Sequence, residues 1–89
     1  MASSNGLTQG ERTLLMHCLR QHNPSLIEKV DTLYSGNADA DLVNEMRDAV
    51  GMEIMAKGFL KGDPKSHYYG KVLDDLISRI AELYLWPLE

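Results

Sequence analysis

The sequence predicts an all-α protein: a compact four-helix bundle with the C-terminal helix as its central element. Three observations support this fold class. Apolar residues recur every three or four positions through most of the chain, which is the period of a helix. Helix-starting and helix-ending residues divide these runs into four segments. No segment shows the alternation of apolar and polar residues that a half-buried strand requires.

The first two helices are predicted between Thr8 and Gly36. The segment Thr8–Glu11 has the S/T-x-x-E form of a capping box, in which each side chain satisfies a backbone N–H of the first turn. The face that follows carries Leu14, Leu15, Cys18, Leu19 and His22. Asn23-Pro24 ends this helix and begins the next, because a residue before proline avoids the helical region and proline suits a first helical position. Gly36 is expected to end the second helix in a left-handed conformation.

The third helix is predicted to start at a cap on Asp39. Its apolar side comprises Leu42, Val43, Met46, Ala49, Val50 and Ile54. Gly58 is the expected left-handed residue after its last turn. The side chain of Phe59 would then pack back against Ile54, as in a Schellman motif.

The fourth helix is predicted from Tyr68 to Tyr84, after a turn-rich loop in which Asp63 or Ser66 supplies the cap. At about 100° per residue its apolar side chains fall within a band of about 140°. They are Tyr69, Val72, Leu73, Leu76, Ile77, Ile80, Leu83 and Tyr84. So wide a stripe needs several neighbouring helices to cover it, which makes this helix the expected centre of the bundle.

Length and charge limit the function classes. A chain of 89 residues has room for one domain, expected over residues 7–89 after a disordered tail over residues 1–6. A net charge of −4 disfavours nucleic acid as a partner. No apolar run approaches the roughly 20 residues of a membrane span, and the N-terminus lacks a signal segment. The single cysteine, Cys18, allows no intrachain disulfide. We therefore expect a cytoplasmic protein without contact to membranes.

Charge is unevenly distributed along the chain. Acidic residues dominate from Glu28 to Glu53, and lysines dominate from Lys57 to Lys71. The candidate partner-binding residues are Asp39, Asp41, Glu45 and Asp48. Such carboxylates at an interface would attract a basic partner protein and raise its association rate.

Two glycines lie inside predicted helices, where glycine costs about 1 kcal/mol relative to alanine. Gly51 is midway along the third helix, and Gly70 is one turn into the fourth. Close approach of two helices would explain them. The alternative is a shallow groove for a ligand or partner, formed by Gly51, Met55, Tyr69 and Gly70.

No residue pattern supports a metal, a cofactor or catalysis. His17, Cys18 and His22 are the only cluster of metal-ligand types, but His17 lies about 100° away from Cys18 around the helix, and zinc requires four ligands. The segment from Asn37 to Asp48, which contains Asp39 and Asp41, resembles a calcium loop that lacks its glycine and its final glutamate. An enzyme would require His17, His22 or His67 to meet a carboxylate in a cleft.

The C-terminal segment is unusually apolar. Leu85 and Trp86 fall off the main stripe of the fourth helix. The segment either folds back on the bundle or forms an exposed apolar patch that a second copy covers. These two residues are therefore the candidates for self-association as a homodimer.

Part of the chain resembles a group of small bacterial all-helical proteins of unknown function. The resemblance lies in residues 40–80, in the segments Asn44–Gly51, Gly58-Phe59 and Tyr69–Ile77. It implies a bacterial source and an all-helical fold, and some members look like immunity or accessory proteins found beside secreted toxins. The function we predict is a non-enzymatic protein-interaction module with an acidic surface for a basic partner. The alternative is a helical protein that binds a small ligand or signal.

Overall fold

The computed structural model describes residues 6–85, and within this range the chain is all-α, as the sequence predicts. Helix α1 spans Gln9–His22 and is followed by a 3-10 helix over Pro24–Lys29. Helix α2 spans Val30–Tyr34, α3 spans Ala40–Lys57 and α4 spans Pro64–Ile80. A π-helical turn over Ala81–Leu85 continues α4. Residues 1–5 of the predicted tail, and Trp86, lie outside the described residues.

Helix α1 begins with the predicted capping box. Oγ1 of Thr8 accepts a hydrogen bond from the Glu11 N–H at 3.1 Å, and Oε1 of Glu11 accepts one from the Thr8 N–H at 2.8 Å. Oε2 of Glu11 also accepts from Nε of Arg79 at 3.1 Å. Burial raises the pKa of the Glu11 carboxyl, but these hydrogen bonds and the charge of Arg79 outweigh it and leave the pKa lowered. The start of α1 is thereby tied to the end of α4.

Aspartate caps begin the two long helices. Oδ1 of Asp39 accepts from the Leu42 N–H at 2.9 Å at the start of α3, which confirms the predicted cap. Asp63 is the cap of α4, so the helix begins at Pro64, one turn before the predicted Tyr68. Proline at the first helical position lacks the N–H that would have no partner there, so this start needs no further compensation.

The segment predicted as one second helix is divided into the 3-10 helix and α2. Both parts turn apolar side chains inward: Leu26, Val30 and Leu33 are buried. Gly36 follows with φ of +84°, the left-handed conformation predicted for it. The terminator was therefore predicted correctly, although the helix type over the first half of this segment was not.

The corner between α3 and α4 corrects the sequence prediction by one residue. Gly58 is extended, with φ −89° and ψ 149°, and the left-handed residue is Phe59, with φ 56°. A Cβ on Gly58 would lie 3.0 Å from the Cα of Gly70, so Gly58 is needed for close contact between the helices. The strained backbone of Phe59 is held by Ser66, whose carbonyl accepts from the Phe59 N–H at 3.0 Å and whose Oγ accepts from the Leu60 N–H at 2.8 Å.

The core lies where α3 packs against α1 on one side and α4 on the other. Its largest fully buried side chains include Leu15, Leu19, Leu33, Met46, Leu73, Leu76 and Ile80. Helix α4 contributes the apolar wall predicted for it, and α3 shares the central position because it touches both neighbours. Among residues 6–85, no helix is both long enough and apolar enough to cross a membrane.

Candidate functional site

The candidate partner-binding carboxylates lie on the outer face of α3. Asp41, Glu45 and Asp48 follow one another at i, i+4 and i+7, so they share one side of the helix, and all three are exposed. We call these three residues the outer row. Asp39 is also exposed, but its carboxylate serves as the cap of α3. Within residues 6–85, none of the four acids takes part in a salt bridge.

Next to the outer row, an open depression of about 450 Å³ lies between α3 and α4. It is lined by Asn44, Arg47, Asp48, Gly51, Met52, Met55 and Ile77. A Cβ on Gly51 would meet nothing within 4 Å, so Gly51 borders open space. Close packing of a neighbouring helix therefore does not explain the glycine at this position. Met52 and Met55 stand beside it, 47% and 85% exposed. We call this feature the Gly51 depression.

Arg47 braces the two helices at the edge of the Gly51 depression. Its Nε donates to the carbonyl oxygen of Ile77 at 3.2 Å, across to α4. A terminal nitrogen of the same guanidinium donates to Oδ1 of Asn44 at 3.2 Å, one turn back on α3. A planar group held at two points has few orientations left, so this edge of the depression is preorganised.

The structure divides the predicted groove residues between two places. Gly51 and Met55 line the depression. Gly70 is packed under the ring of Phe59, where an added Cβ would lie 2.6 Å from the ring carbons. Tyr69 is half-buried and directs its hydroxyl to Glu53. Packing of the Phe59 ring therefore explains the glycine at position 70, whereas Gly51 borders open space.

A cluster of polar side chains on the inner face of α3 was not predicted. Glu53 is fully buried, and its two oxygens accept hydrogen bonds from both flanking helices. Oε1 accepts from Nε2 of His22 at 2.7 Å, and Oε2 accepts from Nε2 of His17 at 3.2 Å and from the Tyr69 hydroxyl at 2.6 Å. Nζ of Lys57 lies 3.9 Å from Oε2. We call these five residues the Glu53 cluster.

The electrostatics of the Glu53 cluster favour an ionised carboxylate. Burial raises the pKa of Glu53, but the hydrogen bonds from Tyr69 and His22, the charge of Lys57 and the hydrogen bond from His17 together lower it below its usual value. Burial and the adjacent Glu53 raise the pKa of the Tyr69 hydroxyl, which therefore remains a donor. Since an ionised carboxylate only accepts, each histidine must carry a proton on Nε2.

Cys18 lies near the Glu53 cluster and is not a nucleophile. Its side chain is fully buried, as expected for a small apolar residue. Burial and the Glu53 charge raise the pKa of its thiol to about 12. Since the thiolate is the reactive form, the thiol is inert at neutral pH.

An enzyme would require a histidine and a carboxylate to meet in a cleft, and the described part of the chain shows the meeting without the cleft. His17 and His22 do meet a carboxylate, whereas His67 packs edge-on against Phe59 with ring centroids 5.7 Å apart. The carboxylate has no exposed surface and both oxygens are occupied, so substrate has no access to it in this conformation. Among residues 6–85, no group of three or more His, Cys, Asp or Glu side chains is arranged to hold a metal ion.

Two sequence signals could have found the Glu53 cluster. Glu53 follows Met46 and Val50 at i+7 and i+3, which places it on the apolar side of α3. His22 likewise lies on the apolar side of α1, four residues after Cys18. A charged residue inside an apolar stripe needs a partner, because an unpaired charge is costly to bury.

Leu85, predicted for self-association, is half-buried and packs on the core of its own chain. Comparison with family models, with curated proteins and with solved structures finds no match to this chain. The site must therefore be interpreted from its own geometry. That geometry consists of an enclosed carboxylate on one face of α3 and an exposed row beside an apolar depression on the other.

Proposed function

We propose that this chain is a non-enzymatic protein-interaction module whose outer row binds a basic partner protein. The observation that carries the proposal is the exposed row of Asp41, Glu45 and Asp48, for which residues 6–85 supply no salt bridge. Like charges at i and i+4 destabilise a helix by about 0.2–0.5 kcal/mol. Asp41 gains from the dipole of α3 because it lies in the first turn, but Glu45 and Asp48 have no such role in the fold. A cationic partner would relieve the repulsion within the row and would be steered by it.

A protein that covers the basic surface of a toxin is one form of this function. This form is supported by the resemblance of segments such as Asn44–Gly51 and Tyr69–Ile77 to small bacterial proteins, some of which look like immunity or accessory proteins. It would place the protein in the bacterial cytoplasm, where a toxin must be neutralised before export.

The test uses a lysine-rich, unstructured peptide as a probe of cationic partners, followed by ¹⁵N NMR. We expect chemical-shift changes centred on residues 41–48 and an affinity that falls as salt is raised, because exposed charges are screened. The variant Asp41→Asn/Glu45→Gln/Asp48→Asn should weaken binding by about tenfold and flatten the salt dependence.

A matched control removes the same charge from another exposed surface, with Asp74→Asn/Asp75→Asn/Glu82→Gln. If binding depends on the outer row, this control behaves almost as the wild type does. Equal losses in the two triple variants would mean that only net charge matters, and the proposal would be withdrawn.

A further inference from the structure

We propose that the partner presents an amphipathic helix to the outer face of α3, with one bulky apolar side chain in the Gly51 depression and basic side chains over the outer row. This inference rests on the proposed function and adds the form of the partner. It is carried by two features that adjoin at Asp48: the carboxylates of the outer row, and the apolar opening beside Gly51, which Asp48 also lines.

The Gly51 depression is suited to an apolar side chain. Gly51 and Ile77 give it an apolar floor, and the exposed Met52 and Met55 stand beside it. Methionine side chains are flexible and polarisable, so they adapt to the shape of what they contact. A space of about 150 Å³ is enough for benzene, and the depression, at about 450 Å³, is open to solvent on one side. A leucine or phenylalanine side chain fits this space.

The spacing of the outer row favours a helix as the occupant. Along α3, Asp48, Glu45 and Asp41 lie about 4.5, 9 and 15 Å from Gly51, at a rise of about 1.5 Å per residue. A second helix lying along α3 presents residues i+3, i+7 and i+10 on one side, about 4.5, 10.5 and 15 Å from residue i. An apolar residue at i and lysine or arginine at these three positions therefore match the face, as in the binding of amphipathic helices to apolar grooves.

The packing of α3 against α4 agrees with a partner helix lying along the Gly51 depression. Arg47 of α3 contacts Ile77 of α4, and Gly58 lies against Gly70, so α3 and α4 run antiparallel. A partner helix in the depression would lie beside both and continue the bundle. A second copy of this chain is a poorer match to the required pattern. Its exposed Tyr68 on α4 has Lys71 at i+3, but Asp75 and Ser78 occupy i+7 and i+10. The exposed Phe59 and Leu60 lie in a turn between helices.

The experiment compares two helical peptides with the full-length protein. The first, in an alanine-rich background, has leucine at i and lysine at i+3, i+7 and i+10, and the second replaces that leucine with alanine. We expect the leucine peptide to bind wild-type protein about tenfold more tightly, because the side chain leaves water. Calorimetry gives the affinities, and ¹⁵N NMR should place the leucine-dependent shifts at Gly51, Met52, Met55 and Ile77.

Two protein variants separate the anchor from the charge. Gly51→Leu places its Cβ in open space, since nothing lies within 4 Å of a Cβ there, and its side chain is expected to occupy the depression. It should abolish the difference between the two peptides and retain the salt-dependent binding of both. The triple variant Asp41→Asn/Glu45→Gln/Asp48→Asn should weaken both peptides about tenfold and retain their difference.

The outcomes distinguish failure of this inference from failure of the proposed function. Equal binding of the two peptides to wild-type protein overturns the helical anchor and leaves the basic partner standing. A difference that survives in Gly51→Leu also overturns the anchor. Absence of salt-dependent binding by either peptide contradicts the proposed function itself. The inference is also overturned if light scattering shows a dimer and dilution of that dimer shifts the NMR signals of the same α3 residues. In that case the face belongs to an interface with a second copy.

Discussion

Helix α3 carries carboxylates on two faces, and their surroundings differ completely. Glu53 on the inner face has no exposed surface and accepts hydrogen bonds from His17, His22 and Tyr69. The outer row is exposed and, within residues 6–85, forms no salt bridge. The formal charge of these groups is the same, so the difference comes entirely from which neighbours the fold provides.

This difference separates structural acids from candidate binding acids. A buried carboxylate needs every acceptor position occupied, because an unpaired charge in the interior is costly. The Glu53 cluster meets that need by joining α1, α3 and α4, so Glu53 serves the fold. The carboxylates of the outer row join no helices among the described residues, so their charges remain available for binding.

The largest expected effect tests the inner face. Glu53→Ala leaves three donors, on His17, His22 and Tyr69, without their acceptor, and we expect the free energy of unfolding to fall by about 3–5 kcal/mol. Asp48→Ala on the outer face should change it by less than about 0.5 kcal/mol. Urea unfolding followed by circular dichroism measures both. Should Glu53→Ala not fold, Glu53→Gln, which keeps one acceptor oxygen, should give an intermediate loss. Similar effects of Glu53→Ala and Asp48→Ala would contradict the comparison.

The corner between α3 and α4 gives the next largest effect. The methyl group of Gly70→Ala would lie 2.6 Å from ring carbons of Phe59, so the ring must move, and we expect a loss of about 1–3 kcal/mol. In the background Phe59→Ala the obstacle is gone, and the same substitution should cost much less. A double-mutant cycle on unfolding free energies measures this coupling. Additive effects of the two substitutions would show that Phe59 is not what excludes a side chain at Gly70.

The pH dependence of stability is a third test of the Glu53 cluster. Because the pKa of Glu53 is lowered on folding from the usual 4.5, its contribution is fully present above that value and is lost as pH falls through the folded-state pKa. The groups facing it are His17, His22, Lys57 and Tyr69. We therefore expect the stability difference between wild type and Glu53→Gln to shrink as pH is lowered from about 5 to 3. The pKa of Glu11 is also lowered, but Glu11 is present in both proteins, so its contribution to the stability difference cancels. A difference that stays constant over this range would be evidence against an ionised Glu53.

What the sequence could predict was set by the distance along the chain between interacting residues. The capping box at Thr8 and the cap at Asp39 act within three residues, and both were predicted correctly. The conformations of Gly58 and Phe59 were misassigned by one residue, because contact with Gly70 decides them. The acids Asp39, Asp41, Glu45 and Asp48 were singled out from the uneven charge along the chain, and the structure places the last three, all exposed, on one side of α3.

The Glu53 cluster could not be assembled from sequence in the same way. Its hydrogen bonds join Glu53 to residues 31 and 36 positions earlier and 16 positions later. Helix periodicity places Glu53 on an apolar side, which signals a need for partners, but it does not say which helix supplies them. That choice depends on how α1, α3 and α4 pack together.

The smallest expected effect tests whether the outer face is open. Gly51→Ala replaces a glycine inside α3 where a Cβ meets nothing within 4 Å, so only backbone entropy and helix propensity change. We expect a gain of up to about 1 kcal/mol in the free energy of unfolding, opposite in sign to Gly70→Ala. The urea midpoints of the two variants give the comparison directly. A loss at Gly51 would mean that the fold packs against this position, and the depression would then not be free to accept a partner side chain. A gain would leave the glycine without a structural reason and would keep the depression open to an apolar side chain, as the proposed mode of binding requires.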